Sequence, residues 1–202
     1  MTSIIKVNNI QNSSGTAAIA VNSSGNISFP NPSTGQVLEI LTSNCTGETI
    51  NGTTFQNVTD YSLTSTTRAS YDGSTVTYTP PTGTTRVIYQ FQFAYGYEST
   101  HTLIHNSLFI DDVEVTDSRF SFGQNNTDYG QRTNFEYTIV CNASSNNAAR
   151  GEFTSWTSNK VITLKHREYG STYGCEIHAG IYWDGATSRQ FCRPRIALTA
   201  IG

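Results

Sequence analysis

The residue types best suited to chemistry are two histidines and an acidic cluster near the middle of the chain. His101 and His105 are four positions apart, a spacing that lets two side chains share a metal ion on a helix but separates them too far on a strand. Their neighbours favour strand and loop, so we predict no metal site. The acidic cluster could bind calcium, but a hairpin tip that faces water explains it better. The cluster consists of Asp111, Asp112, Glu114 and Asp117.

Enzymatic motifs are not recognisable in the sequence. It has no Gly-x-Ser-x-Gly elbow and no phosphate-binding loop, and no histidine or cysteine has a catalytic neighbour. Paired carboxylates for glycan hydrolysis would have to come from separate strands, which leaves a glycan-degrading enzyme as an alternative. We therefore expect a protein that is not an enzyme and that needs no cofactor.

Charge and cysteine spacing exclude further classes. A net charge of -3 gives no electrostatic footprint for nucleic acid. The late basic cluster of Arg189, Arg193 and Arg195 is typical of a solvated edge or a subunit contact. The cysteines are too widely spaced for a Cys-x-x-Cys zinc site or redox pair, so we expect reduced, buried thiols. They are Cys45, Cys141, Cys175 and Cys192.

The elements that must position any site are strands. Only 13% of the 202 residues are charged, against roughly a quarter in a typical soluble domain. Thr, Val, Ile, Tyr and Phe dominate the structured-looking stretches and favour strands, whereas Asn, Ser and Gly supply turns. The sequence lacks an apolar run of about 18 residues and a recognisable secretion signal. We expect no membrane insertion, and synthesis in the cytoplasm.

Alternation of side chains defines the predicted strands. Residues 86–95 place five apolar side chains on one face: Val87, Tyr89, Phe91, Phe93 and Tyr95. Residues 108–115 predict a hairpin that turns at Asp111-Asp112. The other predicted strands of this region cover residues 36–42, 134–141, 160–166, 176–183 and 195–201. About eight strands at this spacing predict an all-β antiparallel jelly-roll sandwich, in which Tyr89, Phe91, Phe93, Leu198 and Ile201 form the core or a contact between copies.

The sequence divides near residue 35. Residues 1–35 are almost free of aromatic side chains and repeat Asn-Ser-Ser-Gly at 12–15 and 22–25, each copy following a short apolar run. Such a segment cannot shelter its own apolar side chains, so we predict that it packs on copies or on a larger assembly, although a disordered leader is an alternative. Residues 36–202 form the predicted head domain. The predicted anchoring residues are Ile4, Ile5, Val7, Ile10, Ile19, Val21, Ile27 and Phe29.

Aromatic residues in two predicted loops are candidate contacts. Residues 143–159 carry Phe153 and Trp156, which either contact a partner or close one end of the core. Residues 168–174 carry Tyr169 and Tyr173. Counting strands back from 195–201 places loops 142–159 and 184–194 at the same end of the sandwich. We therefore predict Trp156, Arg150 and Arg189 as outward contacts.

The opening residues 3–25 resemble the N-terminal segment of structural and tail-fibre proteins of aquatic bacteriophages, especially cyanophages. Residues 108–115 and the apolar last strand are similar to the trimeric heads of those proteins, which are related in architecture to the C1q and tumour-necrosis-factor jelly rolls. Two features differ from the family: this chain has almost no shaft, and its last strand lacks an acidic residue. The resemblance implies a stubby homotrimer attached to the virion.

Four functional hypotheses follow from this resemblance. The leading one is a short trimeric tail fibre that binds a host receptor; a host surface glycan is a candidate partner, and other capsid or tail proteins are partners of residues 1–35. A capsid decoration or head-fibre protein is the nearest alternative. A small glycan-degrading tailspike and a secreted C1q-like lectin are less favoured. The first three place the protein in the virion after synthesis in the host cytoplasm.

Overall fold

The fold consists of short and long antiparallel strands. The computed structural model describes residues 9–11, 14–15, 17–21, 23, 27–28, 33–97, 101–125, 131–181 and 189–202. The strands are β1 (Asn9–Gln11), β2 (Ala17–Val21), β3 (Ile27–Ser28), β4 (Val37–Ser43), β5 (Thr49–Ile50), β6 (Thr53–Thr54), β7 (Ser62–Leu63), β8 (Ala69–Ser70), β9 (Val76–Tyr78), β10 (Arg86–Tyr97), β11 (His101–Ile110), β12 (Val113–Asn125), β13 (Gln131–Val140), β14 (Lys160–Glu168), β15 (Cys175–Ile177), β16 (Ala179–Ile181), β17 (Arg189–Phe191) and β18 (Arg195–Ile201). A 3₁₀ turn covers Ala148–Arg150.

Two sheets form the sandwich. The front sheet has the order β4-β18-β10-β13, and β15 continues along β10 with β7 beside it. The back sheet has the order β12-β11-β14, and β8 and β9 both pair with β14. If β8 and β9 are counted as one strand, the sandwich has eight strands that pair from the outside inwards along the chain. The pairs are β4 with β18, β8 and β9 with β14, β10 with β13, and β11 with β12. This wrapped pairing is the jelly-roll connectivity, and the predicted antiparallel β-sandwich is confirmed.

The core lies between the two sheets and is rich in aromatic rings. The inward face of β10 is the one that the alternation predicts, and each of its five apolar side chains is at most 5% exposed. The Phe93 ring lies 5.4 Å from Phe91 and 4.5 Å from Tyr71, measured between centroids. Leu198 of β18 is fully buried against this layer. Burying a ring of this size contributes about 1.5–3 kcal/mol to stability, so β10 supplies a large part of the stabilising core.

The hairpin between β11 and β12 has the predicted two-residue turn. Asp111 and Asp112 have φ angles of 50° and 62°, the left-handed values that a type I′ turn requires at both positions. The carboxylates of the two residues pair with Lys160 at 3.0 Å and Lys165 at 2.9 Å on β14. These acidic groups therefore tie the hairpin tip to the neighbouring strand.

The predicted strand 176–183 is not continuous, because β15 ends at Ile177 and β16 begins at Ala179, and this interruption changes which loops share an end. β15 pairs with β10 at Tyr95–Tyr97 and β18 pairs with it at Arg86–Gln92, both antiparallel to β10. The two segments thus run the same way along one edge. Between them His178 takes a left-handed φ of 64°, and the β16–β17 pair is inserted. Because no strand crosses the sandwich there, residues 189–194 lie at the end opposite to residues 142–159.

The first part of the chain has a small sheet of its own. Within the described residues, β1, β2 and β3 pair only with one another, in the order β1-β2-β3. Ile10 is 52% exposed, and Ile19 and Val21 are half-buried. Ile27 pairs with Val21. Four of the predicted anchoring residues lie outside the described residues: Ile4, Ile5, Val7 and Phe29.

The cysteines are free thiols. Cys45, Cys141 and Cys175 are buried, as the sequence predicts, whereas Cys192 is half-buried. Burial raises the pKa of Cys45 and of Cys141 to about 12, which keeps both thiols protonated and unreactive. Within the described part of the chain, no helix is long and apolar enough to cross a membrane.

Candidate functional site

A basic groove crosses the outer face of the back sheet. Ser121, His105 and Arg167 are register neighbours on β12, β11 and β14, so their side chains form one row across three strands. The groove has a volume of about 600 Å³. The residues that line it are Arg68, His105, Asn106, Arg119, Phe120, Ser121 and Arg167.

Alternation along β14 explains why the basic side chains point outwards. Ile162, Leu164 and His166 are buried in the sandwich, which leaves Lys165 and Arg167 on the outer face. The same rule applies on β11, where Ile104 is fully buried and His105 faces out. The groove is thus a direct consequence of the core pattern of these strands.

One carboxylate partly neutralises the arginines. Glu114 accepts two hydrogen bonds from Arg119, at 3.0 Å from Nε and 2.7 Å from Nη2. It also lies 3.6 Å from Arg68 Nη1. The hydrogen bond from Arg119 is the largest cause that lowers the pKa of Glu114 to about 2. Among the described residues Arg167 forms no ion pair, so the groove carries three arginines against one carboxylate.

An aromatic strip borders the groove. The ring of Tyr169 is 63% exposed and lies 5.9 Å from the His105 ring and 5.4 Å from the Tyr173 ring. Backbone hydrogen bonds fix this turn to β11: Tyr169 N donates to Leu103 O at 3.0 Å, and Leu103 N donates to Tyr173 O at 3.1 Å. The His105 ring is in turn held 2.7 Å from Ser121 Oγ. The exposed ring of Tyr169 is therefore rigidly placed beside the cationic groove.

The front sheet presents a different outer face. Ile40, Thr199 and Ile88 are register neighbours on β4, β18 and β10, and Ile40 is 59% exposed. Val37 on the same edge is 51% exposed, and Ile201 is half-buried. Further along the sheet a polar depression of about 270 Å³ is lined by Gln90, Gln92, Asn134, Arg195 and Ala197. This face is apolar around Ile40 at the β4 edge and carries charged side chains elsewhere, namely Arg86, Arg132, Glu136 and Arg195.

The three predicted outward contacts do not form a site. Trp156 is 5% exposed; its Nε1–H donates to Tyr78 O at 3.3 Å, and its ring packs against Tyr78 and Phe153. The prediction of an outward Trp156 is therefore wrong, and the alternative that it closes one end of the core is correct. Arg150 is exposed at that end and pairs with Glu152 at 3.2 Å.

Arg189 lies at the opposite end from Arg150. Its Nη1 forms a 2.6 Å ion pair with Glu176 Oε1, a carboxylate whose side chain is 4% exposed. In this structure Arg189 therefore compensates the charge of the buried Glu176 carboxylate. A joint contact surface of Trp156, Arg150 and Arg189 is excluded by these positions.

His101 and His105 lie on the same face of β11, and His105 is half-buried. His101 contacts the Tyr173 ring at 6.4 Å and His105 contacts Ser121. The described residues contain no group of three or more metal-ligating side chains. The sequence does contain a signal for the basic groove that the predictions missed, namely Lys165, Arg167 and Tyr169 at every second position of one strand and its continuation.

Comparison with known proteins adds little. No protein-family model and no curated protein matches the chain. Among solved structures, a chain of the infectious bursal disease virus Gx strain structure is similar over 73% of this chain, with 9% identity and a TM-score of 0.27. This chain spans 38% of the length of that chain. A likeness this weak does not establish a shared fold.

Proposed function

We propose that the protein is a non-enzymatic structural component of a bacteriophage virion, a short homotrimeric tail fibre that binds a host receptor. Its N-terminal residues attach it to the particle, and its jelly roll projects. The observation that carries the proposal is that the sandwich buries its apolar side chains, whereas the small N-terminal sheet does not. The sandwich buries its own core, whereas β1, β2 and β3 pair only with one another among the described residues and leave Ile10 half-exposed.

A three-stranded sheet of this size needs a further surface to bury its apolar side chains. Ile19 and Val21 of β2 remain half-buried, so a second surface would remove additional apolar area from water. A neighbouring virion protein or copies of the same segment would supply it. The resemblance of residues 3–25 to phage structural proteins favours the virion.

Contact between copies is supported by the outer face of the front sheet. Ile40 and Val37 are each more than half exposed, and Ile88 and Thr199 continue the row inwards. The register row itself contains no charged side chain, since Thr138 of β13 completes it. We place the trimer contact there.

Light scattering of the purified chain tests the oligomer. We expect three copies for the unmodified chain and dissociation for Ile40→Lys, because the substitution would bury a charge at the contact. Val113→Lys is the matched control, since Val113 is also about half exposed but lies on the back sheet. A monomeric unmodified chain, or equal behaviour of the two variants, contradicts the trimer contact.

Labelling of purified virions with gold-conjugated antibodies tests the location. The proposal expects label on the tail and blocked adsorption to the host. Label on the head would instead establish a capsid decoration protein, and absence of label would overturn the virion role. Ile10→Asp should be lost from purified particles while Val113→Asp is retained, because both side chains are 52% exposed but only Ile10 lies in the proposed anchor.

A further inference from the structure

We propose that the basic groove of the back sheet binds a carboxylated saccharide. The sugar ring would stack on Tyr169, and its carboxylate would bind Arg167. This inference rests on the proposed function for its biological setting, where it gives the receptor a chemical class. The site itself is defined by Arg68, His105, Arg119, Ser121, Arg167 and Tyr169.

The charge of the groove selects an anion. The whole chain has a net charge of -3, yet three arginines line this one groove, and among the described residues Glu114 alone forms ion pairs with them. Arg119 and Arg68 are already engaged with that carboxylate. Arg167 forms no ion pair among the described residues, and its planar guanidinium matches a carboxylate with two parallel hydrogen bonds.

The aromatic strip selects a saccharide among anions. Tyr169 exposes 63% of its surface at the edge of the groove, and the flat apolar face of a sugar ring packs on such a ring while its hydroxyls stay in reach of polar groups. His105 and Ser121 lie in one register row with Arg167, and the His105 ring lies 5.9 Å from that of Tyr169, so they offer those polar groups beside both residues. Because the turn is fixed to β11 by backbone hydrogen bonds, little ordering is needed on binding.

Calorimetry with purified chain and short oligosaccharides tests the inference. The probes are oligomers of galacturonate, mannuronate, N-acetylneuraminate and hyaluronan, each paired with its carboxyl-reduced neutral counterpart. We expect at least one acidic series to bind, its neutral counterpart to bind roughly tenfold or more weakly, and affinity to fall with added salt. Equal binding of acidic and neutral forms, or no binding of any series at millimolar concentration, overturns the inference.

Four variants assign the binding to the groove. Arg167→Gln and Tyr169→Ala should each weaken binding roughly tenfold or more. Arg132→Gln removes the same charge from an exposed position on β13 of the other sheet and should leave affinity unchanged. Tyr61→Ala removes a 43% exposed ring outside the groove and serves as the second control. Equal losses in a groove variant and its control would show non-specific attraction.

A variant that binds the acidic probe more tightly provides a further test, because a misfolded protein would not gain affinity. Glu114→Gln keeps the shape of the side chain but releases Arg68 and Arg119 from their carboxylate, so affinity for the acidic probe should rise severalfold while the neutral probe is unaffected. An unchanged or weaker affinity for the acidic probe contradicts the assigned site. A single-stranded oligonucleotide of matched charge that competes better than the saccharide would reassign the groove to nucleic acid and overturn the inference.

The failures of the two proposals are distinguishable. Saccharide binding by the purified chain together with absence from virions overturns only the proposed function. Presence on virions without saccharide binding overturns only this inference.

Discussion

Two buried histidines make the sandwich sensitive to mild acid. His166 is 4% exposed and His178 is fully buried, and neither Nδ1 has a hydrogen-bond partner among the described residues. The His166 ring packs 4.4 Å from the Tyr71 ring, and His178 Nε2 lies 2.8 Å from the carbonyl oxygen of Asp72. Burial is the main cause that lowers the pKa of each histidine to about 4, so the folded protein holds both rings neutral.

The sign of the pH effect follows from that shift. In the unfolded chain the pKa of a histidine is about 6.5, so between about pH 6.5 and pH 4 the unfolded state binds more protons than the folded state. The free energy of unfolding therefore has its full value above pH 6.5 and decreases as the pH falls towards 4. Asp72 opposes this loss at both rings, whereas Arg68 and the second histidine add to it at His166.

The magnitude is large compared with the stability of a domain. A shift from 6.5 to about 4 corresponds to about 3 kcal/mol for each histidine at about 1.4 kcal/mol per pKa unit. A domain is typically stable by about 5–15 kcal/mol. Protonation of both histidines in the unfolded state should thus bring the free energy of unfolding close to zero above pH 4, before most carboxylates titrate.

Urea unfolding measured between about pH 7 and about pH 4.5 tests this reasoning. The free energy of unfolding of the unmodified chain should fall steeply across the range. His166→Phe keeps a ring against Tyr71 but cannot be protonated, so it should remove about half of the decline. A free energy that is independent of pH in the unmodified chain, or an undiminished decline in His166→Phe, would refute the assignment.

Three further predictions concern the core. Gly73→Ala should lower the free energy of unfolding in urea by about 2–4 kcal/mol, because φ is 85° and the new Cβ would lie 2.9 Å from Cys45 Sγ. Gly52→Ala, at φ 81° in open space, should lower it only by the backbone contribution of about 1–2 kcal/mol. Equal losses in the two variants would contradict the close packing at Gly73. Trp156→Ala should cost about 3–5 kcal/mol, whereas a surface residue would cost almost nothing. In native protein a thiol reagent should label Cys192 fast and the three buried cysteines slowly, and four equal rates would be inconsistent with their burial.

The sequence predicts β10, β13, β14 and β18 well because their alternation repeats over several residues. It predicts only the turn and the adjoining residues of β11 and β12, which extend to His101 and Asn125. The strand 195–201 is found with exactly the predicted bounds, and the face of β10 is correctly assigned. The short strands between residues 49 and 78 were not predicted, since two or three residues provide too few alternations. β8 and β9 pair with the long strand β14. In contrast, β5 and β6 pair with each other, and β7 pairs with the short strand β15.

The candidate site is harder to predict because strand order, which a single strand does not encode, brings it together. Arg68, His105, Arg119 and Arg167 come from positions spread over about half the chain, and only the jelly-roll pairing makes them neighbours. The wrong end assigned to residues 189–194, the described part of that loop, has the same origin. One left-handed residue, His178, turns an apparent crossing strand into an inserted pair.

The two outer faces of the sandwich explain how contact between copies and ligand binding can coexist. On each strand the core determines the inward side chains and leaves the outward ones free to differ. The front sheet places Ile40 and Ile88 outwards, whereas the back sheet places His105 and Arg167 outwards. Because the faces point in opposite directions, burial of the front face in the proposed trimer would leave three grooves open to solvent. Three weak sites on one particle would then bind a polysaccharide much more tightly than one site does.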